Sequence, residues 1–170
     1  MKTDITIRQF HDFNPGELYA IVRHVYLSSG FMSDDFDRKF PGVRQFDFHY
    51  NAMLNQPGSF LLVAMLDNRP VGYLVIEART ETRLSHTAFL NMGIVENLRR
   101  KGIGRQLTEA TLQRAKTEGI IEIIYLMVRA DHFGAIKLYE STGFDRLATL
   151  ARDTKFDGEY YDGLLMRRFV

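Results

Sequence analysis

Four basic residues and two glycines share one short stretch, ENLRRKGIGRQL, residues 96–107. Arg99, Arg100, Lys101 and Arg105 carry the charge, and Gly102 and Gly104 flank Ile103. An apolar run, AFLNMGIV, comes before it, and a helical pattern, QLTEATLQRAKTEG, overlaps its end. The first turn of a helix leaves backbone N–H groups unpaired and carries the positive end of the helix dipole. A phosphate suits that place when no side chain crowds it, and glycine clears the approach and permits positive φ. Arginine and lysine add charge for a diphosphate. Two familiar phosphate loops fail on spacing. A P-loop needs four residues between its first glycine and Gly-Lys-Ser/Thr. A dinucleotide fingerprint needs a small residue three positions after Gly104, where Leu107 stands. Taken alone, the stretch reads equally as an anion cradle between strand 84–95 and helix 103–118 or as a tight turn with solvated arginines.

The 170 residues suit one domain, 1–170, large enough to bury a real core. A formal net charge of +1 argues against bulk attraction to nucleic acid or to a membrane. The local basic cluster stands out for that reason. With no cysteine there are no disulfides, no thiolate metal site and no cysteine nucleophile. The start MKTDITIRQF lacks the apolar core of a signal peptide, and no run approaches membrane-spanning length. The expectation is a soluble, cytoplasmic protein.

The elements that must position the cradle follow from periodicity. DITIRQF alternates as a strand. PGELYAIVRHVYLSS has helical spacing, with Asn14 as cap and Pro15 in the first turn. Pro41 and Gly42 break the segment GFMSDDFDRKFPG, and VRQFDFHYNAMLNQ reads as a helix. SFLLVAMLD and PVGYLVIEART form a hairpin about Asn68-Arg69. LSHTAFLNMGIV is the third consecutive strand, and the helix after the cradle stops at Gly119. The apolar run IIEIIYLMV reads as a strand buried on both faces. DHFGAIKLYESTGF is a short helix capped by Asp131 and stopped by Gly143. FDRLATLARD and GEYYDGLLMRRF close the chain as two strands. The fold class is mixed α/β, with a mostly antiparallel sheet and a helical crossover between two parallel strands.

Two motifs carry a resemblance. Arg99 to Gly104 fits the (Q/R)-x-x-G-x-(G/A) motif of the GNAT superfamily of acyl-CoA N-acyltransferases. VRADHFGAIKLYESTGF, 128–144, resembles that family's second signature, V-x-x-x-N-x-x-A-x-x-x-Y-x-x-x-G-F. The resemblance implies the GNAT fold, with helices on both sheet faces and a splay between parallel strands 84–95 and 120–128. Acetyl-CoA, the co-substrate, would lie in that splay as an added strand does. The backbone of Met92, Gly93 and Ile94 would hold the pantetheine and thioester carbonyl. The amides of Arg100, Lys101, Gly102, Ile103, Gly104 and Arg105 would hold the pyrophosphate, with Arg99 beginning the motif. Tyr139 matches the tyrosine that faces the sulfur, and takes the general-acid role. His132 stands where many members have Asn, which makes it cofactor-proximal. No metal is implied.

The base positions depart from the family. Members that carry a glutamate on the first splayed strand are matched here by Ala88, and those that carry it on the second by Met127. Two substitutes are His86, two residues before Ala88 on the expected strand, and Glu77, ending YLVIE. The acceptor side of such folds is built by the first helices and last hairpin. Here those contain Phe31, Phe36, Phe40, Phe46, Phe48, Tyr50, Phe156, Tyr160 and Tyr161, with Asp34, Asp35, Asp157, Glu159 and Asp162 among them. The implied activity is acetyl transfer to a primary amine of a small molecule or amino acid. A protein N-terminus or lysine is the alternative, and a non-catalytic acyl-CoA-binding domain a third. The resemblance also admits a homodimer through the last strands.

Overall fold

The computed structural model describes residues 4–170. In chain order the elements are β1 (Ile5–Gln9), α1 (Pro15–Ser28), α2 (Phe36–Lys39), α3 (Val43–Leu54), β2 (Phe60–Leu66), β3 (Arg69–Ala78), β4 (Thr87–Ile94), α4 (Ile103–Glu118), β5 (Ile123–Arg129), α5 (Phe133–Ser141), β6 (Asp145–Phe156) and β7 (Glu159–Phe169). Single 3₁₀ turns occupy Phe10–Asp12 and Glu96–Leu98. The strands form one sheet in the order β1-β2-β3-β4-β5-β7-β6. Every neighbouring pair is antiparallel except β4 and β5.

Strand alternation sends side chains to two faces, and each face has its own cluster. Leu74, Ile76, Ala88, Leu90, Ile124 and Leu126 pack with Ile103 and Leu107 of α4 and Ile136 and Tyr139 of α5. Leu61, Val63, Tyr73 and Val75 pack on the other face with Val22 and Val25 of α1, Phe36 of α2, and Phe46 and Tyr50 of α3. Burying each such side chain is worth about 1.5–3 kcal/mol, which seats the helices on the sheet. α1 starts with a capping box: Asn14 Oδ1 accepts from Glu17 N at 2.9 Å, and Glu17 Oε2 accepts from Asn14 N at 3.2 Å. α4 ends as expected at Gly119, whose φ is 67°.

Five local expectations are corrected. The β2–β3 turn is Asp67-Asn68, with φ of 49° and 58°, rather than Asn68-Arg69. Positive φ at both central residues matches the right-handed twist of a two-residue hairpin. The broken segment before Pro41 contains α2, because Asp35 Oδ1 accepts from Arg38 N at 3.1 Å and Phe36 anchors it in the core. β4 begins at Thr87, not at Leu84. Leu84 N donates to Glu81 O, and Thr87 N and Oγ1 both donate to Leu84 O, all at 2.8 Å, so that segment turns instead of extending. β5 is buried on one face only: Ile124 and Leu126 are covered, whereas Met127 is 40 % exposed. Asp131 does not cap α5; its carboxylate grips Arg129 at 3.0 and 2.6 Å, and His132 takes the cap position without a side-chain bond.

Candidate active site

β4 and β5 pair only from Thr87–Ile123 to Phe89–Tyr125. On its outer side β4 stays paired with β3 as far as Ile94. β5 likewise stays paired with β7 as far as Arg129. Each strand is thus held from outside while the inner edges part beyond Phe89 and Tyr125, leaving a wedge. Arg79 N donates to Thr87 O and Val95 N donates to Val71 O, both at 3.0 Å, so odd-numbered peptide groups of β4 face β3. Alternation turns the even-numbered ones into the wedge. Met92 and Ile94 therefore offer backbone groups there, and Gly93 does not. Gly93 has another reason to lack a side chain. A Cβ would stand 2.3 Å from Val25 Cγ1 and 3.0 Å from the Tyr73 ring.

At the wide end sits the start of α4. Gly102 has φ of 81° and Arg100 of 62°, and a Cβ on Gly102 would meet nothing within 4 Å. The helix has no side-chain cap and no acidic residue in its first turn. Gln106 N donates to Gly102 O at 3.1 Å, so the N–H groups of Ile103, Gly104 and Arg105 precede the first helical bond. α1, by contrast, closes its own N-terminus with Asn14 and Glu17. The two glycines do different work. Gly102 makes the left-handed turn and leaves the approach clear. Gly104 is helical, and a Cβ there would come within 2.7 Å of Leu138 Cδ2 on α5 and 3.5 Å of Met92 Cε. It is there for packing, which corrects the expectation that both glycines serve an anion directly.

The basic side chains also divide. Arg99 Nε donates to Ile94 O at 3.3 Å, at the rim of the wedge. Arg105 turns aside to Ser141 Oγ at 2.8 Å and Glu109 at 3.5 Å. Arg100 and Lys101 are exposed. Tyr139 is buried on α5, edge-on to Phe144 with centroids 5.6 Å apart. Burial pushes its phenol up, so it keeps its proton at neutral pH.

His132 faces the same end. Its ring stacks on Phe31, centroids 3.9 Å apart. Burial first, then nearby Arg99, holds its imidazole below the ordinary value and neutral. Phe31 belongs to the loop after α1, and Arg129 fixes that loop. Arg129 Nη1 donates to Gly30 O at 3.0 Å, and its guanidinium lies 4.8 Å from the Phe31 ring centroid and 3.6 Å from that of Tyr161. The loop is a strap from α1 across to β5 and α5.

The two base candidates land in different places. His86 lies in the turn before β4, so it does not share a strand face with Ala88. Its carbonyl accepts from Glu122 N and Ile123 N at the closed end of the parallel pair. From there to Gly93 the chain runs roughly 23 Å at ordinary strand rise. Ala88 is fully buried on the α4 face, so its position would not present a carboxylate to the opposite side. Phe89 and Asn91 face that side and are exposed, as do Met127 and Glu77, which sits opposite Phe89. Around Glu77 lies a polar patch. Lys39 pairs with Asp34 at 2.8 Å, and burial followed by Lys39 keeps the His49 imidazole low.

Of the acceptor-side aromatics, Phe36, Phe40, Phe46 and Tyr50 are core, Phe48, Phe156 and Tyr160 are exposed, and Phe31 and Tyr161 flank Arg129. Asp35 caps α2, Asp34 pairs with Lys39, and Asp162 Oδ1 accepts from Arg152 N at 2.9 Å. Sequence reasoning did not reach Tyr73 and Tyr26. Tyr73 stands opposite Gly93, and counting the hairpin register back from the glycine would have found it. A cavity of about 770 Å³ outside α1 is lined by Tyr19, Arg23, His24, Leu27 and Asp37 and by nothing from β4, β5, α4 or α5. Among the described residues no group of His, Cys, Asp and Glu is disposed to hold a metal, and no helix is long and apolar enough to cross a membrane.

Comparison with known proteins agrees with this geometry. The model of the acetyltransferase (GNAT) family matches residues 25–144. An N-alpha-acetyltransferase of Saccharolobus solfataricus is 34% identical over 125 residues, covering 68% of this chain and 72% of the relative. The L-amino acid N-acetyltransferase AaaT of Escherichia coli is 28% identical over 116 residues, covering 68% and 72%. The crystal structure of a GNAT-family acetyltransferase from Streptococcus pneumoniae superposes with a TM-score of 0.89 at 24% identity, covering 98% of this chain and 99% of that one.

Proposed function

The chain belongs to the GNAT acetyltransferase family, and on that premise we propose that it moves the acetyl group of acetyl-CoA to the primary amine of a small molecule or amino acid. The observation that carries this reading is the wedge with an uncapped helix start at its wide end. Acetyl-CoA supplies an acyl carbon already activated as a thioester. The amides of Ile103, Gly104 and Arg105 suit a pyrophosphate, with Arg100 and Lys101 free to add charge. The inward backbone groups of Met92 and Ile94 suit the pantetheine amides as a further strand would.

The chemistry follows from what lines the wedge. The amine arrives neutral, and its nitrogen forms a bond to the acyl carbon while the carbonyl electrons move onto oxygen. Their return breaks the carbon–sulfur bond. Tyr139, kept protonated by burial, gives its proton to the departing thiolate and regains one from solvent. The proton left on the new amide nitrogen goes to water or to Glu77, the exposed carboxylate on the acceptor side. His86 is set aside, because it sits in the turn before β4, behind the paired end of the two strands and roughly 23 Å of chain from Gly93.

A small acceptor is favoured by the strap, because the Arg129–Gly30 bond and the Phe31–His132 stack hold the loop after α1 against β5 and α5 instead of leaving an open groove there. A protein N-terminus is the second reading, supported by the name of the Saccharolobus relative. Free-thiol release from acetyl-CoA, measured with a panel of L-amino acids, simple amines and alanine-initiated peptides, separates the two. Turnover with amino acids or amines and none with peptides is the expected result. Turnover confined to peptides favours the second reading, and CoA binding without turnover on any acceptor overturns both.

A further inference from the structure

Tyr73 is wholly buried, with 0 % exposure, and its hydroxyl has no hydrogen-bond partner. Leaving a buried hydroxyl unpaired is destabilising, so its presence here calls for an account. The ring leaves β3 opposite Gly93 and crosses above that glycine. A Cβ on Gly93 would lie 3.0 Å from Tyr73 Cε1 and 3.4 Å from Cζ, the carbon that bears the hydroxyl. The oxygen lies one bond farther along the ring axis, directed across β4 toward its unpaired edge. On that edge the neighbouring residues, Met92 and Ile94, turn their backbone groups the same way.

Tyr26 of α1 lies parallel to Tyr73 with centroids 6.4 Å apart; their hydroxyls lie near each other without meeting the geometry of a hydrogen bond, so the Tyr73 O–H is left to donate elsewhere. Burial pushes the Tyr73 phenol far above its ordinary value. It is therefore a permanent donor. Tyr139 belongs to the cluster on the opposite sheet face.

We propose that the Tyr73 hydroxyl donates a hydrogen bond to the thioester carbonyl oxygen and to the oxyanion that forms from it, beside the inward amides of β4. Donor chemistry selects this partner. A hydrogen bond onto the amine would occupy the lone pair that must attack carbon, whereas the carbonyl oxygen has lone pairs to share and gains charge in the transition state. The bond forming is N–C and the bond breaking is C–S. Tyr73 keeps its proton throughout.

This rests on acetyl-CoA being the donor, so the test begins with CoA binding by calorimetry. Tyr73→Phe removes the hydroxyl and leaves the ring over Gly93. The carbonyl carbon of bound [1-¹³C]acetyl-CoA reports hydrogen bonding by its chemical shift, without an acceptor. The expected result is a downfield displacement on the parent chain that shrinks by half or more in Tyr73→Phe. CoA affinity should stay unchanged, thermal stability should be equal or higher, and turnover should fall by about 10²-fold, the usual effect of losing one oxyanion donor. An unchanged carbonyl shift and turnover in a variant that binds CoA overturns the role of Tyr73 and leaves the acetyltransferase reading standing. No CoA binding by the parent chain overturns both.

Discussion

Phe31 and His132 stack with ring centroids 3.9 Å apart, joining the loop after α1 to the start of α5. The contact lies beside Arg129, which holds the same loop through Gly30. Phe31→Ala should cost about 1 kcal/mol of aromatic contact and speed amide exchange over residues 29–35. Unaltered exchange would mean that Arg129 alone holds the loop.

His132 makes stability depend on pH. Its imidazole is held below the ordinary 6.5 in the folded chain, chiefly by burial. The unfolded chain therefore binds the proton more readily between the two values. The contribution to stability is complete above about pH 6.5 and is lost as pH falls toward the folded value. The unfolding midpoint should drop between about pH 7 and 5, and less steeply in His132→Asn. Equal slopes in both proteins would assign the effect to His49, whose pKa is also lowered.

Tyr139→Phe should lower kcat by about 10²-fold or more while CoA affinity stays within error. Stopped-flow thiol release and calorimetry read the two quantities separately. A parent-like kcat would give the thiolate its proton from another source.

Gly104→Ala forces a methyl against Leu138 and should cost about 1–3 kcal/mol through overpacking. Leu138→Ala in the same chain makes room and should restore most of it, measured by a double-mutant cycle in urea. Gly102→Ala meets no atom, so its cost is the left-handed backbone alone, about 1–2 kcal/mol. No rescue by Leu138→Ala is expected there.

Most of the architecture was legible because its signals are local. The Asn14-Pro15 start, the hairpin and the Gly119 stop each declare themselves within a few residues. The glycine-led start of α4 was legible for the same reason. What was not legible depended on partners distant in the chain. The closed end of β4 is set by turns among Glu81, Leu84 and Thr87, which removed His86 from the strand. Asp131 has the sequence of a cap, yet Arg129 claims it. The purpose of Gly104 appears only when α5 packs beside α4. Tyr73 carries no motif; its place comes from register across two strands.

The Gly104–Leu138 contact makes a ruler of the site. It sets α4, whose first amides are proposed to receive the diphosphate, against α5, which carries Tyr139, with no room for a Cβ between them. The span between anchored phosphate and proton donor is then a set length that the pantetheine arm must match. A donor lacking the β-alanine unit should still fill the cradle and compete with CoA, yet leave its sulfur short of Tyr139 and pass its acyl group on far more slowly. Selection by arm length would thus act beside selection by headgroup, written into the chain by one missing methyl.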